Sequence, residues 1–128
     1  MAITFYPKAG TILLCDFSKG FVPPEIVKLR PVVVVSPNHR NNSELYTVVP
    51  LSKTAPKTIR PCHLKLTNNP ISSEDGADSW AKCDLVMTVA RTRLDRFKMA
   101  RGVYRVFFVS DEELSNIRGC LKYVLGIA

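Results

Sequence analysis

The sequence predicts a mainly β (α+β) fold, built as a small, strongly bent antiparallel sheet or barrel with one C-terminal α-helix. Two observations carry this prediction. All nine prolines lie at or before Pro70, which favours strands and loops in the first half of the chain. The helical pattern, in contrast, is concentrated in the last 20 residues or so, where apolar side chains recur every three or four positions.

Strands are predicted where β-branched and apolar runs stand between turn residues. The run Val32–Ser36 is apolar on both faces, so we expect a central strand there. The run Cys62–Leu66 alternates, which puts His63 and Lys65 on one face of a half-buried strand. The predicted strands are Thr11–Phe17, Val32–Ser36, Leu45–Leu51, Cys62–Leu66, Lys82–Ala90 and Val103–Val109. Ser18–Leu29 and Thr67–Ser79 are predicted loops, rich in turn residues.

The C-terminal helix has a clear start signal. Ser110 is followed three residues later by Glu113, the spacing of a capping box, and acidic residues in the first turn suit the positive end of the helix dipole. The apolar positions at helical spacing are Leu114, Ile117, Leu121, Val124 and Leu125. We therefore expect one amphipathic helix that closes the domain.

Length and charge limit the functions to consider. With 128 residues, 46% of them hydrophobic, and no internal repeat, residues 1–128 are expected to form a single domain. Lys and Arg number 18 against 11 for Asp and Glu, a net charge of +7. This excess favours a polyanionic partner: RNA, DNA, an anionic membrane or an acidic protein.

Neither a metal site nor a membrane span is predicted. The cysteines Cys15, Cys62, Cys83 and Cys120 contain no C-x-x-C pair, and His39 and His63 do not complete a zinc-ligand spacing, so no metal or cofactor is expected. The N-terminal residues lack the pattern of a secretory signal, so we expect a cytoplasmic protein with reduced thiols. No apolar run approaches the roughly 20 residues that a spanning helix needs.

Several segments, taken in order, resemble the MazF/PemK family of bacterial toxins from toxin–antitoxin pairs. They are Gly10–Phe17, Glu25–Pro31, the valine strand, Val48–Ser52 and Lys82–Asp84, and the resemblance extends from about Gly10 to Ala128. It implies an SH3-like barrel that forms a homodimer, cleaves single-stranded RNA such as mRNA at short sequences without a metal, and is neutralised by an acidic antitoxin.

The resemblance also implies site residues. Arg30 of the R-P pair and Ser52 at the end of the next strand match active-site positions of the family, and Lys82 and Asp84 match its R-x-D pair. This chain departs from the family pattern in having Pro24 and Ile26 beside Glu25, Lys82 in place of the arginine, and Leu85 where a glutamine is common. The alternative function is therefore that of a non-catalytic relative, which binds a protein target such as a topoisomerase or binds nucleic acid without cleaving it.

RNA cleavage without a metal uses the 2′-hydroxyl as nucleophile, so the protein must supply a base, an acid and a cation for the developing charge. Arg30 suits the cation role because its planar fork holds two phosphate oxygens; alternatively it pairs with Glu25. The Ser52 hydroxyl either bonds a phosphate oxygen or serves its own turn. Asp84, Glu25 and His63 compete as the base. Asp84 is preferred, with Lys82 expected on the same face of one strand.

Further basic side chains form a candidate RNA-binding set: His63, Lys65, Lys53, Lys28, Arg91 and Arg93. Cations of this kind contact the RNA backbone, receive an acidic antitoxin segment, or simply form a solvated face. From Arg91 to Arg105 the chain has six basic side chains, which form a basic segment. The aromatic residues within or next to this segment, Phe97, Tyr104 and Phe107, either stack on bases or fill the core.

Overall fold

A computed structural model of the protein describes residues 3–38, 43–66 and 78–127. His39 and most of the predicted loop Thr67–Ser79 lie outside this part of the chain. The strands are β1 (Thr11–Asp16), β2 (Leu29–Val34), β3 (Leu45–Ser52), β4 (His63–Lys65), β5 (Trp80–Lys82), β6 (Met87–Ala90), β7 (Leu94–Asp95), β8 (Phe97–Ala100), β9 (Val103–Arg105) and β10 (Phe107–Phe108). The helix α1 spans Asp111–Leu125.

The main sheet is antiparallel, and its hydrogen-bonded strand order is β10-β1-β2-β3-β5-β4. Strand β6 also pairs with β3 and β7 with β1, while β8 and β9 form a separate hairpin. Strand β2 thus lies between two neighbours, which confirms the prediction of a central strand in the valine run. The proline at its start is tolerated because Pro31 stands near the strand end, before the fully buried valines.

Alternation along the strands separates two apolar clusters. Ile12, Val33 and Leu51 point into one cluster, which α1 covers with Leu114 and Ile117. The residues between them point to the other face, where Cys15, Val32, Val48 and their neighbours form the second cluster. A one-residue change of register would exchange these two sets, so the apolar pattern of β1, β2 and β3 fixes their pairing.

The N-cap hydrogen bond of the capping box predicted at the start of α1 is present. The Glu113 N–H donates a 3.1 Å hydrogen bond to the Ser110 hydroxyl oxygen. At the other end, Gly126 takes a left-handed conformation with φ of +69°, which a residue without a Cβ adopts at little cost. Leu125 is exposed, whereas the other apolar positions of the predicted stripe are buried or partly buried against the first cluster.

The fold class is confirmed as α+β, with a bent antiparallel sheet and one C-terminal helix. Among the described residues the sheet is not closed by hydrogen bonds between β10 and β4, so the expected barrel is open at this seam. Helix α1 packs against β4 and the 3-10 turn Cys83–Leu85, and this packing covers the apolar side chains of those two elements. In the described part of the chain, no helix could span a membrane.

Two predicted strands are each interrupted. The expected strand Lys82–Ala90 is broken by the 3-10 turn Cys83–Leu85, and Val103–Val109 is divided between β9 and β10. The expectation that Lys82 and Asp84 share one face of a strand is therefore wrong. Lys82 ends β5, whereas Asp84 lies in the turn that follows, where side chains no longer alternate.

Candidate active site

The sheet register brings most of the predicted site residues to one face. Val32 pairs with Pro50, and the same antiparallel register continued by two residues puts Arg30 across from Ser52. Ser52 pairs with Trp80, so Lys82, two residues on, shares their face. Paired residues of an antiparallel ladder point to the same side, and His63 is the partner of Lys82.

A small groove lies where these strand ends meet. Its volume is about 90 Å³, well below the roughly 300–1,000 Å³ of pockets that enclose a drug-sized ligand. It suits one small group, such as a phosphate, rather than a whole nucleotide. The residues that line it are Ile26, Arg30, Pro50, Leu51, Ser52, Lys82 and Leu85.

Arg30 is an available cation of the groove. Its side chain is half-buried, and among the described residues no hydrogen bond or ion pair engages the guanidinium. Glu25, the partner considered for it, instead accepts a 2.8 Å hydrogen bond from the Val22 N–H and closes its own turn. The guanidinium thus carries an unmatched positive charge at the end of a rigid buried strand.

The Ser52 hydroxyl faces the groove but also serves a local turn. It accepts a 3.1 Å hydrogen bond from the Thr54 N–H and lies 3.4 Å from the Thr54 carbonyl oxygen. The turn therefore orients the hydroxyl at the groove wall. Its position beside Pro50 and across from Arg30 is compatible with a contact to an oxygen atom bound there.

His63 and Asp84 form a pair next to Lys82. The distance between His63 Nε2 and Asp84 Oδ1 is 3.7 Å, with the histidine side chain only 11% exposed and the aspartate 45% exposed. The Arg60 N–H donates a 3.1 Å hydrogen bond to His63 Nδ1. The proton of the neutral imidazole therefore resides on Nε2, facing the carboxylate.

Cys62, His63 and Asp84 offer three ligand atoms within 4.8 Å of one another. An imidazole that binds a metal through one nitrogen normally carries its proton on the other. Here Nδ1 accepts a hydrogen bond and Nε2 holds the proton, so this arrangement fits an imidazole–carboxylate pair better than a metal centre.

The basic side chains predicted to bind RNA fall into two groups. Lys28, Lys53 and Lys65 are exposed, and Lys65 forms a surface ion pair with Asp78 at 3.3 Å. His63 and Lys65 share the face of the groove, as the alternating pattern predicts.

Arg91 and Arg93 instead hold distant parts of the chain together. The Arg91 guanidinium donates two hydrogen bonds to Glu44, at 3.1 and 3.2 Å, and lies over the Tyr6 ring. Arg93 donates to the carbonyl oxygens of Asp16 and Lys19 at 2.9 Å. These contacts fix the N-terminal segment and the start of the loop before β2, a use of the two arginines that local sequence does not reveal.

The three aromatic residues of the basic segment also fall into two groups, one in the core and one on the surface. Phe97 and Phe107 make an edge-to-face contact at 5.1 Å, and Phe107 belongs to the first apolar cluster, so these two fill the core. Tyr104 is 42% exposed and lies under the Arg96 guanidinium at 4.3 Å. Tyr104 alone of the three is available for stacking on a ligand.

All four cysteines carry free thiols, as expected. Burial raises the pKa of Cys15 and that of Cys83 from 9.0 to about 12. These thiols are therefore neutral and unreactive near neutral pH.

Comparison with known proteins assigns the chain to a family. Residues 8–125 match the PemK-like, MazF-like toxins of type II toxin–antitoxin systems. The chain belongs to the PemK/MazF toxin family. The match covers every element from β1 to α1 and agrees with the resemblance seen in the sequence.

Members and neighbours of the PemK/MazF family agree with this assignment. The uncharacterised protein YifN of Escherichia coli K12 is 38% identical to this chain, and the match covers 80% of this chain and 80% of the length of YifN. The crystal structure of MazF from Deinococcus radiodurans has a TM-score of 0.70 at 21% identity and covers 96% of this chain and 99% of that one. An endoribonuclease in complex with its cognate antitoxin, from a mycobacterial species, has a TM-score of 0.68 at 22% identity over 95% and 97% of the chains.

Proposed function

We propose that this toxin is a metal-independent, sequence-specific endoribonuclease that cleaves single-stranded RNA, including mRNA, in the cytoplasm. The observation that carries the proposal is the Arg30 guanidinium, which has no hydrogen-bond or ion-pair partner among the described residues and lines a phosphate-sized groove, across the ladder from Ser52 and on the same face as Lys82. A cation already aimed at a small groove stabilises charge that develops on a phosphate in the transition state. The family supports the same reaction, since solved neighbours include endoribonucleases.

In the proposed reaction the 2′-hydroxyl oxygen attacks the adjacent phosphorus, and the bond from phosphorus to the 5′-oxygen breaks. Asp84 takes the proton of the 2′-hydroxyl, and the Lys82 ammonium gives a proton to the leaving 5′-oxygen. Arg30 binds the phosphate oxygens, with Ser52 as a second donor. The products are a 2′,3′-cyclic phosphate and a 5′-hydroxyl, and DNA is spared because it lacks the nucleophile.

Asp84 is preferred over the other two candidate bases on position. It adjoins Leu85, which lines the groove, and it is paired with His63, the ladder partner of Lys82. The Glu25 carboxylate is occupied in its own turn, so we assign Glu25 to holding the loop that bears Ile26 over the groove. His63 has its proton directed at Asp84 and suits orienting that carboxylate.

We further propose that residues 1–128 act as one toxin domain, that RNA approaches the groove over Lys28, Lys53 and Lys65, and that the functional unit is a homodimer neutralised by an acidic antitoxin. The net charge of +7 supports both polyanionic partners. Antitoxins are present in solved complexes of structural neighbours, such as MazE with MazF of Deinococcus radiodurans. Because Arg91 is committed to Glu44, its expected part in RNA binding is the weakest of the set, whereas Arg93 borders a second cleft.

The test is cleavage of single-stranded RNA by the purified protein in the presence of a chelator. We expect fragments that end in 2′,3′-cyclic phosphate, and a loss of about 10²–10³-fold in rate for Arg30→Ala, the range seen when one preorganised charge-stabilising donor is removed. Lys8→Ala is the matched control, because Lys8 contacts the Phe108 ring away from the groove. RNA left intact by the wild-type protein, or cut equally well by Arg30→Ala, contradicts the proposal.

Asp84→Asn tests the base separately and should lower the rate by about 10²–10⁴-fold. Growth inhibition that survives loss of both Arg30 and Ser52 would instead favour the non-catalytic alternative, in which the toxin acts by binding a protein target. The departures from the family pattern at Pro24, Lys82 and Leu85 are the sequence features that favour this alternative.

A further inference from the structure

A second cleft lies at the same end of the β1–β2 ladder as the groove, but on the opposite face. Cys15 pairs with Arg30, and both point to the face of the groove. The next pair, Asp16 with Leu29, points the other way and borders this cleft. Its volume is about 520 Å³, large enough for a nucleotide.

One wall of the cleft is the β8–β9 hairpin, which presents a stacking surface. Lys98 pairs with Tyr104 across the hairpin, so the two side chains lie side by side. The Arg96 guanidinium lies 4.3 Å from the centre of the Tyr104 ring, and the tyrosine remains 42% exposed. Planar guanidinium and aromatic groups are the surfaces on which unpaired bases stack.

The other wall is acidic. Asp16 and Asp95 both border the cleft. Hydrogen bonds from Ser18 lower the pKa of the exposed Asp16, so this carboxylate stays ionised. Asp95 Oδ1 accepts a 2.7 Å hydrogen bond from the Arg96 N–H. Ionised carboxylates only accept hydrogen bonds, so these two side chains suit amino groups.

We propose that the cleft binds one nucleobase of single-stranded RNA and prefers a base that carries an exocyclic amino group. The base stacks on the Tyr104–Arg96 pair, its amino group donates to Asp16 or Asp95, and Lys98 contacts an adjoining phosphate. Uracil is disfavoured because it has no exocyclic amino group. The choice of RNA as ligand rests on the proposed function, but the cleft is a binding site separate from the groove.

Adjacent residues of one strand link the two sites. Leu29 borders the cleft and Arg30 lines the groove, so a single RNA chain that passes the end of β2 reaches both. The cleft then reads a base that neighbours the cleaved phosphate.

The experiment is binding of fluorescent 2′-O-methyl oligonucleotides, which cannot be cleaved, measured by anisotropy. Tyr104→Ala should weaken binding of oligo(A) or oligo(C) by about 5- to 150-fold, the range of one base stacked on an aromatic ring. Tyr104→Phe should bind as the wild type does. Tyr123→Ala is the matched control, because Tyr123 is an exposed tyrosine on α1, outside the cleft.

Lys98→Ala provides a second variant that removes no core contact, and it should weaken binding of every base alike. Asp16→Asn should reduce the preference for oligo(A) and oligo(C) over oligo(U), since an amide also donates. Equal RNA binding by the wild type, Tyr104→Ala and Lys98→Ala overturns the proposal that the cleft binds a base. A Tyr104→Ala defect that affects only the binding of an acidic antitoxin peptide overturns it as well. Tyr104-dependent binding by a wild-type protein that leaves RNA uncut supports the cleft while the proposed nuclease function fails.

Discussion

The position of the proton on the His63 imidazole determines which group this side chain presents to Asp84. Since Arg60 fixes Nδ1 as an acceptor, the imidazole presents an N–H to Asp84 at all times that it is neutral. The 3.7 Å separation is longer than a hydrogen bond, but such distances commonly shorten when a substrate binds. In this reading His63 positions the base and does not itself contact RNA.

We therefore expect His63→Ala to lower the rate of cleavage by roughly 10- to 100-fold with little change in KM, the cost of one hydrogen bond to a charged group. His63→Gln should retain most of the rate, because its amide N–H replaces Nε2. The measurement is kcat and KM on a short RNA. If the double variant His63→Ala/Asp84→Asn loses rate by the product of the two single losses, the two residues act independently.

At this scale the sequence predicted some of the site and could not predict the rest. Arg30 and Ser52 were predicted from the family resemblance, and the strand register brings the two residues opposite each other. The partners of Arg91 are 47 and 86 residues away in the chain, so no local pattern could reveal them. The position of Asp84 depends on a 3-10 turn that interrupts a β-rich run, and that run contains no glycine or proline to indicate a turn.

Among the elements, α1 has a start that the sequence predicted, because capping chemistry is local. The Ser110 hydroxyl satisfies one otherwise unpaired N–H of the first turn. The helix in turn buries Ile117, and it packs against β4, one of the two strands at the open seam. Its stability therefore matters to the sheet as well.

Ser110→Ala should lower the free energy of unfolding by about 1 kcal/mol, the usual cost of removing an N-cap. Urea unfolding followed by circular dichroism measures it. Ser115→Ala is the matched control, since Ser115 is exposed inside the same helix. An equal effect of the two substitutions would show that the cap hydrogen bond contributes nothing.

For the whole molecule, the two buried thiols link stability to alkaline pH. Burial raises the pKa of Cys15 and Cys83 above 9.0 to about 12, so the unfolded chain releases these protons first as the pH rises. Their contribution to stability is complete below pH 9.0 and is lost progressively towards pH 12.

We expect the free energy of unfolding of Cys15→Ala to fall less steeply with pH above 9.0 than that of the wild type, by up to one proton equivalent. Urea titrations at a series of alkaline pH values give the two slopes. Ser115→Ala, which changes no titrating group, should keep the wild-type slope. Parallel curves for Cys15→Ala and the wild type would show that this thiol does not titrate differently in the folded and unfolded chains.

The alternation of side chains along β2 and β3 also constrains how this protein can change in length. Insertions in the connecting segments leave the pairing of Val32 with Pro50 intact. A single codon inserted inside either strand reverses every side chain beyond it and turns the guanidinium or the hydroxyl of the groove towards the apolar interior. Length variation among relatives that keep this chemistry should accordingly be confined to the loops.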